Sequence, residues 1–189
     1  MKLKSQKKII IVHGYRSYPT DCWFPWLKRE LIKLGFRVIV PRFTNPAQPK
    51  MKNWITTIKN VVDIPDEQTY LVGHSLGVIA ILRYLETLQE GHGVGGVVSV
   101  GGRVIRRPHR KATASFFKTP VPWSKIKRRS KRFVGVYSSN DTVVPIINGR
   151  IFKKKLHAKL ILENKGHFTR EEKIFSLPSL LAVLKKISS

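Results

Sequence analysis

Gly73-His74-Ser75-Leu76-Gly77 sets a serine between two glycines, behind the apolar run Tyr70-Leu71-Val72 and ahead of Val78-Ile79-Ala80-Ile81. That is the spacing of a nucleophile elbow, where a strand turns abruptly into a helix with serine at the apex. The backbone there is strained, and the chain packs so closely that a Cβ two residues before or after the serine would clash. The Ser75 Oγ would project at a helix N-terminus, whose dipole and free amides favour developing negative charge. A serine so placed is suited to attack a carbonyl carbon.

A nucleophilic serine needs a base, and the base needs an acid to orient it. His167, in Lys165-Gly166-His167-Phe168, follows the last expected strand and so shares the carboxyl edge of the sheet with Ser75. His13 ends the first strand and His74 lies inside the elbow, so both are near the site but poorly directed as bases. His92 and His109 fall in loops, and His157 in a lysine-rich stretch. Between Ser75 and His167 the acids are Glu86, Glu90, Asp141 and Glu163. Glu86 and Glu90 belong to the helix behind the serine. Asp141 follows a strand in Ser138-Ser139-Asn140-Asp141, at the same edge as His167. Glu163, at the end of its strand, is the weaker competitor, and an Asx turn or a helix cap is the structural alternative for Asp141. The order Ser75, Asp141, His167 suits such a site. Oxyanion donors are expected at the Leu76 amide and in the loop after the first strand, from Tyr15 N–H with Gly14 N–H as the alternative. His13, His74 and Phe168 are expected to line the substrate pocket.

The elements that must hold these residues alternate. Strands are expected at Lys8–His13, Arg37–Val40, Thr69–Gly73, Gly96–Val100, Arg132–Tyr137 and Ala158–Leu162. Helices are expected at Asp21–Leu34, Met51–Val62, Leu76–Gln89, Val144–Leu156 and Glu171–Ile187. Short β-branched runs between longer amphipathic segments indicate a three-layer α/β/α sandwich on a mostly parallel six-stranded sheet. No linker-like break occurs, so residues 1–189 read as one domain, long enough to bury roughly 70% of its unfolded surface without a staple. The exception is the stretch 101–130, with Pro108, Pro120 and Pro122, many cations, and Phe116, Phe117 and Trp123. It reads as a lid-like or partly disordered insertion, mostly irregular with one short helix.

The charge balance is extreme. Thirty-six Lys and Arg against 11 Asp and Glu leave +25. No acid occurs from Gly91 to Asn140, and Arg103 to Arg132 carries 12 basic residues. Such a field attracts polyanions or an anionic membrane surface, although it is also compatible with a merely solvated face. No specific nucleic-acid motif accompanies it. The single Cys22 favours a reducing, cytoplasmic setting. The apolar run behind the basic N-terminus is too short for a signal peptide, and no stretch is long enough to span a membrane. Gly91-His92-Gly93-Val94-Gly95-Gly96 fits G-x-G-x-x-G but precedes a strand and lacks the acid a dinucleotide site needs. No His/Cys/carboxylate cluster has metal-ligand spacing, and no cofactor is expected.

The elbow and the Ser75, Asp141, His167 order resemble the α/β-hydrolase superfamily over essentially the whole chain. His13-Gly14, the segment Trp23-Phe24-Pro25-Trp26-Leu27-Lys28-Arg29-Glu30-Leu31, and Pro41, Pro46 and Trp54 are similar to a smaller group. These are the minimal serine hydrolases of the retinoblastoma-binding-protein-nine, YdeN-like type. That group often carries Pro-Gly-Asn after the first strand, where this chain has His13-Gly14-Tyr15. The resemblance implies a minimal α/β-hydrolase fold without the first two strands of larger members, a Ser-Asp-His triad and a small open acyl pocket. The Ser75, His167 and Asp141 arrangement itself leads to the expectation of a serine hydrolase that cleaves a small carboxylic ester or thioester through an acyl-enzyme. The alternative is a non-catalytic hydrolase-like scaffold that binds nucleic acid or an acidic partner through its basic loop.

Overall fold

The computed structural model describes residues 6–107 and 110–189. The first five residues, Pro108 and the loop histidine His109 lie outside the described residues. Six strands form one sheet in the order β2-β1-β3-β4-β5-β6: β1 Lys8–Val12, β2 Arg37–Ile39, β3 Thr69–His74, β4 Gly96–Val100, β5 Phe133–Ser138 and β6 Lys159–Glu163. Every pairing is parallel, with register from Ile10 beside Leu71 to Val136 beside Ile161. The helices are α1 Phe24–Lys33, α2 Met51–Val62, α3 Leu76–Glu86, α4 Trp123–Lys127, α5 Ile147–Leu156 and α6 Pro178–Ser188.

Strand alternation divides the core into two layers. Ile9, Ile11, Tyr70, Val72, Val98, Val100, Val134 and Val136 face α1 and α6. Ile10, Val12, Leu71, Val97 and Phe133 face α2, α3 and α5. Because both faces are covered, β1 and β3 read as unbroken apolar runs rather than alternating ones. Ile9, Ile10, Ile11 and Val12 are all fully buried, and each contributes about 1.5–3 kcal/mol to holding β1 at the centre.

Prolines explain where helices start later than their periodicity suggests. Helix α1 begins at Phe24 rather than Asp21, because Pro25 lacks an N–H and fits only the first turn. Asp21 instead closes a turn, its Oδ2 accepting from Ser17 Oγ at 3.0 Å and Tyr18 N–H at 2.8 Å. Pro145 sits ahead of α5, which begins at Ile147 rather than Val144. The last helix begins at Pro178, not Glu171. Residues 169–177 are a folded loop with a different task, described below.

The connection from β4 to β5 is the crossover that returns the chain from the carboxyl to the amino edge of the sheet. Over its described residues it holds two helical pieces, a 3₁₀ segment at Lys111–Phe117 and α4, where mostly irregular chain is expected from the prolines. Phe116 and Ile126 are fully buried anchors. Arg83 of α3, only 2% exposed, satisfies its charge by binding this segment. Its Nε donates to Phe116 O at 2.9 Å, and its other nitrogens reach Glu86 and the carbonyls of Thr119 and Pro120. The cations are therefore divided between two edges. Arg103 N–H donates to Ser75 O at 3.1 Å at the carboxyl edge, while Arg129 O accepts from Val94 N–H at 2.9 Å at the amino edge. No helix among the described residues is long and apolar enough to cross a membrane.

Candidate active site

Ser75 joins β3 to α3 with φ 53° and ψ −115°, a conformation that costs a non-glycine residue about 1–3 kcal/mol. Its neighbours hold it there. Ser75 N–H donates to Val100 O at 3.0 Å, and Ser75 O accepts from Val78 N–H at 3.2 Å as well as from Arg103. Helix α3 lies against β1 at Gly77, where a Cβ would stand 2.1 Å from Val12 O and 2.8 Å from His13 O. At Gly73 a Cβ would meet the Val78 backbone at 2.8 Å. Both glycines are required by close backbone approach.

The carboxyl edge brings three side chains into line. His167 Nε2 lies 2.9 Å from Ser75 Oγ, and His167 Nδ1 lies 2.8 Å from Asp141 Oδ2. Asp141 also performs the turn role that was the structural alternative for it. Its other oxygen, Oδ1, accepts from Val143 N–H at 2.8 Å and Val144 N–H at 2.7 Å. One carboxylate thus fixes its own loop with one oxygen and faces the imidazole with the other. A hydroxyl, imidazole and carboxylate so aligned can move a proton from Oγ to Nε2 while the imidazolium is stabilised at Nδ1. Glu163 is instead 3.5 Å from Lys165 Nζ, and Glu86 is held by Arg83.

Leu76 is the first residue of α3, so its N–H has no acceptor within the helix. The loop after β1 abuts the serine, for a Cβ on Gly14 would lie 3.1 Å from Ser75 Cβ. Gly14, Tyr15, His74, Ser75 and His167 share the lining of one cleft of about 520 Å³.

Two of the three expected pocket residues lie elsewhere. His13 is fully buried, edge-on to Phe43 and Trp54 at 5.0 and 5.5 Å. Its Nδ1 is 3.0 Å from Gly14 O, and burial lowers its pKa, so it is a neutral core ring beneath the loop. Phe168 is also fully buried, packed on the α1 and α6 side with φ 59°. Its ring wedges the turn that carries His167 instead of facing the cleft. His74 does reach the cleft but is only 3% exposed. Its Nε2 donates to His167 O at 2.9 Å. Burial, followed by the neighbouring His167, pushes its pKa down to about 3. It is a neutral donor that holds the main chain of the other histidine.

Other positioning groups escaped the sequence reading. Asn140 Oδ1 accepts from Gly166 N–H at 2.9 Å, and Ser138 Oγ accepts from Lys165 N–H at 2.8 Å, joining the acid loop to the histidine loop. Glu172 accepts from His167 N–H at 3.2 Å and Thr169 N–H at 2.9 Å. A helix over Glu171–Ile187, as the periodicity suggests, leaves no such role for Glu172, and Pro178 is the signal that the helix starts later. The cleft walls also hold Arg16, Tyr18, Asp21, Arg110, Arg170 and Glu171. Among the described residues no group of three or more His, Cys, Asp or Glu side chains could hold a metal ion.

Burial raises the Glu172 pKa, but bonds from the Thr169 hydroxyl and the His167 and Thr169 amides outweigh it and leave the value below 4.5. A carboxylate with a lowered folded value contributes stability that is present above its unfolded value and lost as pH falls through the folded one. The melting temperature of the natural protein should therefore exceed that of Glu172→Gln at neutral pH. The gap should close as pH falls below 4.5. A gap that is the same at pH 7 and below the folded value would contradict this clamp.

The serine hydrolase family model matches residues 9–186. YdeN of Bacillus subtilis (strain 168) is 35% identical over 179 residues, 94% of each chain. Its crystal structure superimposes with a TM-score of 0.91 at 34% identity, covering 96% of this chain and 98% of that one. Serine hydrolase RBBP9 of Rattus norvegicus is 27% identical over 175 residues, 90% of this chain and 91% of its own. Est1E from Butyrivibrio proteoclasticus shares the fold at 13% identity, with a TM-score of 0.74 over 98% of this chain and 90% of that one. The chain belongs to the serine hydrolase family, and its parallel sheet and flanking helices are those of the α/β-hydrolase superfamily.

Proposed function

We propose that this hydrolase cleaves a carboxylic ester or thioester through an acyl-enzyme on Ser75. The observation that carries the reading is the continuous chain from Ser75 Oγ to His167 Nε2 at 2.9 Å and from His167 Nδ1 to Asp141 Oδ2 at 2.8 Å. His167 Nε2 removes the Oγ proton as the Oγ–carbon bond forms. The carbonyl oxygen becomes an oxyanion that accepts from Leu76 N–H and from Tyr15 N–H, with Gly14 N–H as the alternative donor. Nε2 then gives its proton to the leaving alkoxide or thiolate as that bond breaks. A water enters and loses a proton to Nε2, and its oxygen attacks the acyl carbon. Collapse releases the carboxylic acid and returns the proton to Ser75. Asp141 keeps Nδ1 protonated throughout. His74, with its pKa near 3, stays neutral beside the imidazolium.

The small, open and partly charged cleft supports short acyl groups rather than long chains. The buried, unpaired Cys22 supports a reducing, cytoplasmic setting. The scaffold alternative has less support, because the cations meant to form one surface are separated between opposite edges of the sheet. Hydrolysis of 4-nitrophenyl esters from acetate upward tests the reading. Activity should be highest for short acyl chains and fall at least about 10⁴-fold in Ser75→Ala. Retention of activity within tenfold in that variant would overturn it.

A further inference from the structure

Two guanidinium groups converge on one ring beside the serine. Arg110 Cζ lies 5.0 Å and Arg16 Cζ 5.3 Å from the centroid of Tyr15. All three residues line the Ser75 cleft. Neither arginine takes part in an ion pair among the described residues.

The carboxylates in the cleft are otherwise engaged. Asp21 Oδ2 accepts from Ser17 and Tyr18, and Glu171 accepts from the Thr169 hydroxyl. The third arginine of the cleft, Arg170, lies with those two acids around Cys22, where all three influence its thiol. The lining thus carries Arg16, Arg110 and Arg170 against Asp21 and Glu171, and the two arginines on the Tyr15 ring pair with neither acid.

Arg16 is also held in place at a cost. Its φ is 53°, and its N–H donates to Pro46 O at 2.9 Å. A left-handed non-glycine residue persists where its surroundings over-determine it. Each guanidinium is attracted to the face of the ring, and an anion bound by both would add charge-assisted hydrogen bonds to that attraction. Guanidinium forks match carboxylate and phosphate oxygens.

We propose that Arg16 and Arg110 form an anion subsite, so that the preferred substrates are short esters or thioesters with a carboxylate or phosphate near the scissile carbonyl. This rests on Ser75 being the nucleophile, as proposed above. The carbonyl would sit at Ser75, between the Leu76 and Tyr15 amides, and the anionic end would turn toward the Tyr15 wall.

Matched ester pairs test it. For the acyl side the pair is the mono-4-nitrophenyl ester of adipic acid and 4-nitrophenyl hexanoate. For the leaving-group side it is 3-carboxy-4-nitrophenyl acetate and 4-nitrophenyl acetate. In at least one pair the natural protein should favour the anionic member in kcat/KM by about tenfold or more, roughly 1.4 kcal/mol. That preference should collapse in Arg16→Gln/Arg110→Gln and shrink as salt is raised. No preference in either pair, or one that survives the double substitution, overturns the subsite. Calorimetric titration with adipate gives a readout independent of turnover. Binding that the double substitution abolishes supports the subsite even if no ester is cleaved, in which case the nucleophile assignment alone fails. Ester pairs that are cleaved without preference remove the subsite and leave Ser75 untouched, and absence of adipate binding removes it where no ester is cleaved.

Discussion

Asp141→Asn should lower kcat for ester hydrolysis by about 10³–10⁴-fold while leaving the fold intact. The direction follows from the turn that Asp141 closes. Val143 and Val144 both present N–H groups to Oδ1, at 2.8 and 2.7 Å, so an asparagine must keep its carbonyl oxygen there. Its NH₂ then faces His167 Nδ1, where a carboxylate oxygen accepts at 2.8 Å. Two donors cannot share that contact, so the imidazole must offer its Nδ1 lone pair and carry its proton on Nε2. A protonated Nε2 cannot take the Ser75 proton. The opposite rotamer would set NH₂ against two amide N–H groups and lose the turn. Steady-state kinetics and a thermal melt on the same preparation check this: kcat should collapse and the melting temperature should stay within a few degrees. A variant within tenfold of the natural kcat would remove Asp141 from the mechanism.

Gly77→Ala should cost roughly 4 kcal/mol or more of stability, among the largest effects of a single substitution. Helix propensity points the other way, because alanine in a helix is better than glycine by about 1 kcal/mol. Geometry decides. The added methyl would sit 2.1 Å from Val12 O and 2.8 Å from His13 O. Both are backbone atoms of fully buried residues at the end of the first strand, so no side chain can swing aside. Helix α3 would have to move off β1 and take Ser75 with it. For a domain of this size that is a fall in melting temperature of about 10 °C or more, with loss of soluble protein and of activity together. A melting temperature equal to or above that of the natural protein would show that α3 can lift without penalty, contrary to the packing described.

The sheet was legible because its strands are short runs of Ile and Val separated by amphipathic segments, a pattern few other folds satisfy. The elbow and the carboxyl-edge positions of Asp141 and His167 followed from the same alternation, since residues just after parallel strands share an edge. Pocket lining was less legible. His13 and Phe168 directly follow or flank site residues in sequence, yet their side chains turn into opposite core layers. Chain adjacency places a backbone, whereas the direction of a side chain depends on partners such as Phe43 and Trp54 that are remote in sequence. Arg16 and Arg110 illustrate the reverse. They are 94 positions apart, and only the crossover from β4 brings the second to the Tyr15 ring. Glu172 is hard to find because the helical period of the last helix continues upstream of Pro178, although proline fits a helix only in its first turn.

Reaction with a fluorophosphonate, followed by mass spectrometry of the labelled peptide, tests the central claim most directly. The reagent is attacked only by an activated serine, and it reports the nucleophile without knowledge of the natural substrate. The account predicts one adduct, on Ser75, in the natural protein, and none in Ser75→Ala or His167→Ala. An adduct on another residue, or labelling of His167→Ala at the natural rate, would contradict it.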